Sequence, residues 1–528
     1  MLPPIKDLER QITFLTVMNI QTILDYCQQA NQGEAKKVTI LGAGIAGLVA
    51  AYELEKLGHQ VEIFEGSSRV GGRIWTHRFG SEADAPYGEL GAMRIPKDHE
   101  YTLHYVREMG LADRLSKFTT IFEEQNALMN IQNQVFRMKD APNRFAERYQ
   151  EILSGKDYSE KTCLFAAWLK TIIDAIAPGN LRASFERDLQ SHLMDDLEKL
   201  DLEPFFNETG DKIDLRSFIK ANPSFRAACS KDLDMFLEDI SVETSKDLLQ
   251  LEGGMDRLIH NLVAAIKAPI QYNRRVTALE VKENSVGISW TEDGELKTKN
   301  CDYVICTIPF SILKKMELSG FDAQKLASID STIYCPATKV AFHCAESFWE
   351  KEGIKGGASF TGEGIRQTYY PSVKFNPSQG SALLASYTIG DDAVRMGNLS
   401  EQQRYSYVKD VVGQIHPEIE TSGMVVDGAT MAWGNYEWGG GGCTVPWGGD
   451  ESNGFEQELN YLEAARPQNQ LFFAGEHCSK YHAWIQGSIE SALEAVHDLV
   501  AHKPVAPIYN VVSMPLQREV TRGLSLAA

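Results

Sequence analysis

A chain of 528 residues with 52 lysines and arginines against 72 aspartates and glutamates carries a formal charge of −20. The length suffices for two or three domains with sizeable cores, and the acidic balance argues against nucleic acid or anionic membranes as partners while favouring neutral or cationic small molecules. Nine cysteines, odd in number and at neither CxxC nor zinc spacing, argue against a complete disulfide framework and leave no metal site to expect.

Residues 1–35 hold one expected helix, around Leu8–Cys27, with Ile12, Leu15, Ile20 and Leu24 as a partial apolar stripe. It reads as an arm packed either on the outside of the fold or on a second subunit, and the latter reading makes a homodimer the expected assembly. The opening residues lack a basic region followed by an apolar one, and no apolar run is long enough to span a bilayer, so a reduced cytoplasm is the expected compartment.

The most informative stretch is Val38–Arg73. A short apolar run, Val38–Leu41, empties into Gly42-x-Gly44-x-x-Gly47, after which Ala46, Leu48, Val49, Ala50, Leu54 and Leu57 recur at helical spacing. That is strand, tight turn, helix. Gly42 permits the turn, Gly44 removes a side chain that would hold the backbone away from a pyrophosphate, and Gly47 lets the helix sit close on the strand. The helix N-terminus then presents unpaired amides to an anion. A second strand, Gln60–Phe64, ends at Glu65, an acid placed to take the two hydroxyls of an adenosine ribose. Gly71, Gly72 and Arg73 follow, two glycines for close approach and a planar fork suited to phosphate, which a plain nicotinamide dehydrogenase does not need.

In Gly88–Pro96 a lone arginine, Arg94, sits among small and apolar residues, where burial demands an anionic partner, either a ligand or a neighbouring acid. From about 100 to 250 the text turns charged and helical in period, in segments such as Tyr158–Ala177, Arg182–Leu200, Leu215–Ala221 and Lys231–Ile240, broken at Pro178, Pro204 and Pro223. A lid, a funnel wall or a packing cap all fit such an insertion. Strands are expected at Arg275–Val281, Gly287–Thr291 after a hairpin, and Cys301–Ile308, all read as a continuation of the nucleotide domain, then at Thr338–Cys344, Ile365–Tyr370 and Ala382–Ile389. The apolar Gln470–Glu476 and a helix over Gly487–Val500 close the pattern.

The fold class that follows is α/β. A discontinuous Rossmann-like dinucleotide-binding domain takes 36–95, 251–310 and 431–500, a mixed-sheet substrate-binding domain 96–140 and 311–430, a helical insertion 141–250, and a tail 501–528.

The two ends of this pattern, GAGIAGLVAAYELEKLGHQVEIFEGSSRVGGR and FFAGEHCSKYHAWIQGSIESALEAV, together resemble the flavin-containing amine oxidase family, and within it the L-amino-acid oxidases, over nearly everything from Lys36 to Val500. The resemblance implies FAD as hydride acceptor, O2 as oxidant giving H2O2, and an imine that hydrolyses to a 2-oxo acid and ammonia. It implies cofactor contacts at Gly42, Gly44, Gly47, Glu65, Arg73, Gly91, Ala92, Met93, Arg94, Val276, Gly475, Trp484 and Ile485, with Glu476 on the ribityl chain. It assigns Arg94 to the substrate carboxylate with Tyr387 as a second bond, Lys339 to a water beside the flavin, Trp484 to an aromatic wall, and the Ala483 carbonyl to the substrate amine. Tyr369 and Trp438 are pocket or core residues.

The chain departs from the family at the run Gly439–Gly442, where relatives carry bulkier residues; Gly441 falls at an apolar specificity position, and the vacated room suggests a long, basic or otherwise extended side chain. Cys443 lies near the covalent attachment position of monoamine oxidases, but that position aligns with Gly440, so FAD is expected to be non-covalent. Alternatives on the same fold are an amino-acid 2-monooxygenase, a monoamine or polyamine oxidase, and a non-catalytic flavoprotein scaffold.

Overall fold

The computed structural model describes residues 19–502 except 32, 83–84, 132, 146–156, 245–246, 362–363, 374 and 448–456; the expected tail 501–528 lies almost wholly outside them, as does the first half of the N-terminal helix. Four short apolar strands and one two-residue strand, drawn from distant parts of the chain, pair side by side in one parallel sheet. Its order is Ile270–Gln271, Gln60–Phe64, Lys37–Leu41, Tyr303–Cys306 and Leu471–Phe473. Ile40, Leu41, Ile63, Val304, Ile305 and Leu471 are fully buried, as a sheet covered on both faces requires. The helices Ile45–Lys56 and Ile485–Ala501 pack on it, placing their N-termini at the carboxyl ends of the strands, where ligands of open α/β sheets bind.

A second sheet of seven strands runs in the order Val425–Ala432, Ala337–Cys344, Ser381–Ile389, Gln367–Tyr369, Ala358–Phe360, Leu128–Ile131, Gln134–Arg137. It is antiparallel except where Ala358–Phe360 meets Leu128–Ile131. The strand Arg275–Val281 stays outside the parallel sheet. It forms a four-stranded sheet with Val286–Glu292, Glu295–Cys301 and Glu317–Ser319, and only Tyr303–Cys306 rejoins the parallel sheet. Two consecutive hairpins reverse the chain at each turn, the second at Asp293 and Gly294 with φ of 52° and 82°, so this meander pairs with itself.

The inserted segment is helical where described: Glu160–Ile176, Gly179–Asp188, Leu215–Ala221, Pro223–Ala228 and Lys231–Glu243. Pro178 and Pro223 open helices because a proline at the first turn gives up no hydrogen bond. The helix Ile20–Ala30 packs on Ile485–Ala501 of its own chain, with the Cys27 thiol 3.7 Å from the Leu493 carbonyl, so this half of the arm is committed to its own fold. All nine cysteines are free thiols. Among the described residues no helix is long and apolar enough to cross a membrane.

Candidate active site

The turn after Lys37–Leu41 is shaped as the glycine spacing requires. A side chain at Gly42, whose φ is 109°, would meet the Thr307 hydroxyl at 2.4 Å, and one at Gly47 would meet the Gly42 carbonyl at 2.0 Å, so only glycines let helix and strand close together. Gly44 differs: a Cβ there would meet nothing nearer than Gly72 Cα at 4.0 Å and would project into a cavity instead. That cavity encloses about 2140 Å³ of non-protein space, part of it open to solvent, and runs between the parallel sheet, the seven-stranded sheet and the helical insertion.

At the nucleotide end, Glu65 closes the second strand. Its carboxylate accepts from the Ala43 and Ser67 amides and the Ser67 hydroxyl, each at 2.8 Å, which aims the acid beside the turn. Gly44 caps the helix Ile45–Lys56 without a side-chain bond, and Ile45 and Ala46 line the cavity, so the helix N-terminus opens on it. Gly71, Gly72 and Val276 line the same end. Trp438 belongs here too: its ring lies 2.3 Å from where a Cβ of Gly66 would stand, and Arg275 lies over it at 5.3 Å. A pocket role at the substrate end therefore does not describe Trp438.

Midway, Arg73 Nη1 donates to Glu476, a charge-assisted pair inside the cavity wall. Glu476 also accepts from the Thr444 amide at 3.0 Å, the Ala483 amide at 3.1 Å and the Thr444 hydroxyl. Burial by itself raises the Glu476 pKa, but Arg73 and Thr444 outweigh it and hold the carboxyl down to about 2. Arg73 thus faces an acid of its own chain as well as the cavity. Gly475 has a φ of 143°, and a side chain there would strike the His477 ring.

At the other end, Lys339 and Tyr387 sit opposite each other across the antiparallel pair, and the Lys339 ammonium lies 4.6 Å from the Tyr387 ring centre. Lys339 is 4 % exposed and donates to the Gly91 carbonyl at 2.7 Å, the Glu89 carbonyl at 3.2 Å and the Met93 sulfur at 3.4 Å. The lysine therefore ties the sheet to the stretch that ends in Arg94. Arg94 is buried, lines the cavity and lies over Phe118 at 5.8 Å. Ala92, Met93, Ala483, Trp484 and Ile485 line it as well. Ala483 takes a left-handed φ of 62°, unusual for a residue with a Cβ, and it turns the backbone into the cavity just before Trp484 caps the helix Ile485–Ala501.

Two expected pocket residues are not in the cavity wall. Tyr369 is buried one layer back, packed on Phe118 at 5.8 Å. Gly441 faces Tyr334, whose Cβ a side chain would meet at 2.6 Å, so the glycine answers to protein packing rather than leaving room for a ligand. In their place the helical insertion supplies Ile176, Phe236, Asp239 and Ile240. Trp447 joins them, its ring 5.4 Å from Phe236 and its indole N–H donating to Asp239 at 3.0 Å. Sequence reasoning missed this wall. The helical period marks Phe236 and Ile240 as one face of Lys231–Glu243, but nothing in the spacing connects that face with Trp447 some two hundred residues on.

A glycine cradle at a helix N-terminus, an acid on the next strand, and a buried cation-lined end together define an oxidoreductase site for a dinucleotide cofactor. The residues fit the group: Gly44 and Gly72 leave open the space a dinucleotide needs, and Glu65 and the helix amides offer the donor and acceptor set that its ribose and phosphates take. The chain belongs to the flavin-containing amine oxidoreductase family, whose description matches residues 45–500. It is similar to the flavin-dependent L-tryptophan oxidase RebO of Lentzea aerocolonigenes, at 46% identity over 88% of this chain and 98% of that one. It is also similar to the putative L-amino-acid oxidase YobN of Bacillus subtilis, at 30% identity over 88% of this chain and 94% of the other. In fold it resembles a putrescine oxidase, with a TM-score of 0.61 at 17% identity, covering 89% of this chain and 99% of that one.

Proposed function

We propose that the protein oxidatively deaminates L-amino acids with a large aromatic side chain, an indole foremost. The observation that carries the substrate class is the wall of Phe236, Ile240 and Trp447 with a single carboxylate, Asp239, set in it. Apolar rings bury a flat side chain. A carboxylate accepts at several lone-pair sites, so Asp239 can hold Trp447 and also accept the N–H of a substrate ring. The 46% relative, an L-tryptophan oxidase by name, supports the same reading. The long basic side chain suggested by the glycine run loses its ground, because Gly441 packs on Tyr334.

FAD bound here supplies the hydride acceptor, and with O2 it yields H2O2 while the imine released hydrolyses to a 2-oxo acid and ammonia. The chain's own residues bind and orient. Arg94 takes the substrate carboxylate in its planar fork, as bidentate recognition suits, and Tyr387 adds a second bond. The Ala483 carbonyl receives the amine, held in place because the Ala483 amide is anchored on Glu476. Lys339 fixes the Gly91–Arg94 stretch against the sheet, next to the water that the family resemblance assigns to it.

FAD is held without a covalent bond. Gly440 occupies the attachment position, and any side chain there would meet Ser311 at 2.9 Å. A peroxide-coupled screen of the twenty L-amino acids, with mass analysis of the product, tests the whole reading. Tryptophan should lead and its 2-oxo acid should appear; preference for lysine or arginine, or an amide and CO2 as products, would overturn it.

A further inference from the structure

A second, small cavity lies behind the Glu476 cluster, and Val445 and His482 line both it and the main one. Its wall mixes polar and apolar groups: Thr332, Asn460, Thr444, His477 and His482 line it together with Ile333, Val445 and Pro446. Most of these groups are satisfied. Thr332 donates to the Ser328 carbonyl at 2.7 Å, and Asn460 donates to Thr332 at 3.3 Å and accepts from Ser328 at 2.7 Å. His477 is the exception. It is 2 % exposed, and neither ring nitrogen has a hydrogen-bond partner.

A neutral imidazole carries one donor and one acceptor. Burial dominates and pushes the His477 pKa down to about 3, so the ring is neutral and needs both bonds made. The neighbouring ring can be assigned from the same bonding rules. Glu476 is ionised and can only accept, so the Thr444 hydroxyl gives it its proton. His482 Nδ1, 3.1 Å from that hydroxyl, must then be the donor to Thr444, which makes Nε2 of the neutral ring an acceptor. A small cavity with room for about one or two waters, lined by several polar residues and by a histidine whose two ring nitrogens lack partners, is a place where buried water is held.

We propose that this cavity is a water-binding site whose ordered water satisfies His477 and joins it, through His482 and Thr444, to Glu476. His477 is then a positioning residue: it acts on the cofactor through the water and the carboxylate, without touching the substrate cavity itself. The water site does not depend on the substrate assignment above.

A crystal structure of the wild-type holoenzyme at a resolution that shows solvent tests the site directly. Water within hydrogen-bond distance of a His477 nitrogen is expected; a dry cavity, or His477 bonded only to protein atoms, overturns the proposal. His477→Phe keeps the ring packing against Phe310 (centroids 4.4 Å apart) and removes both nitrogens. It should lose the water, weaken FAD binding by up to about tenfold, the scale of one lost hydrogen bond, and shift the visible flavin absorption. His477→Gln, which keeps a donor and an acceptor, should restore most of the affinity. FAD binding and a spectrum in His477→Phe equal to wild type would refute the positioning role, whatever the turnover.

Discussion

Lys339 and Tyr387 are partners in one antiparallel register, and the lysine ammonium lies 4.6 Å from the tyrosine ring centre while it also holds the Gly91 carbonyl at 2.7 Å. One side chain thus joins the seven-stranded sheet to the segment that carries Arg94, and a cation buried this deeply is kept by that ring and those carbonyls. Lys339→Met keeps the length and loses the tether. Its kcat/KM should fall by up to about 100-fold, the scale on which misplaced substrate-binding groups act, with FAD still bound. Stopped-flow reduction under anaerobic conditions measures it; wild-type reduction and reoxidation rates would remove Lys339 from the site.

Arg94 is buried in the cavity wall. Truncating one member of a buried, hydrogen-bonded charge pair costs about 2–5 kcal/mol, so Arg94→Ala should lower kcat/KM for an amino acid by roughly 30-fold or more. Decarboxylated substrates such as tryptamine should be unaffected or gain. Arg94→Lys should recover little, because a point charge does not reproduce a bidentate fork. Steady-state kinetics on the acid and amine pair decides it.

Asp239 accepts the Trp447 indole at 3.0 Å and faces the cavity from the helical insertion. Hydrogen bonds to a charged group contribute about 1.5–3 kcal/mol, so Asp239→Leu should lower the tryptophan-to-phenylalanine ratio of kcat/KM by about 10- to 100-fold. An unchanged ratio would place the indole elsewhere.

Glu476 titrates at about 2 in the folded protein against an ordinary 4.5, held down by Arg73 and Thr444 against its burial. A depressed carboxyl stabilises the fold fully above its unfolded pKa, and that contribution is lost as the pH falls from 4.5 toward 2. The shift corresponds to about 3 kcal/mol at neutral pH. Denaturant midpoints followed downward from pH 6 should therefore drop steeply below pH 4.5, and Glu476→Gln should start lower and show a flatter acid limb. Parallel pH curves for the two proteins would contradict the assignment.

Acid precipitation of the yellow holoenzyme should leave flavin in the supernatant and a colourless pellet. A yellow pellet would mean a covalent bond, for which Cys443, in the cavity wall, is the nucleophile to test by Cys443→Ala.

Much of this site is written in local sequence. The three glycines, the acid at Glu65 and the apolar strands specify a strand, a turn and a helix by chain geometry alone: a strand alternates, a helix repeats every few residues, and only glycine tolerates φ of 109° at Gly42. The alternation in Thr338–Cys344 and Ala382–Ile389 likewise marks two strands. It leaves open that Lys339 would stand opposite Tyr387, since register is set by how two faces bury together, and a slip of one residue would have sent the lysine to the other side. Trp438, Gly441, Asp239 and Trp447 show the same divide. Their residue types are consistent with a pocket or a core. Only packing put Trp438 against Gly66, Gly441 against Tyr334 and Asp239 on Trp447, because these contacts join segments whose separation along the chain carries no periodic signal. Sequence determined the elements and their nucleotide-binding turn; tertiary structure decided which side chains share the cavity, since that depends on sheet register and on which helix of the insertion closes over it.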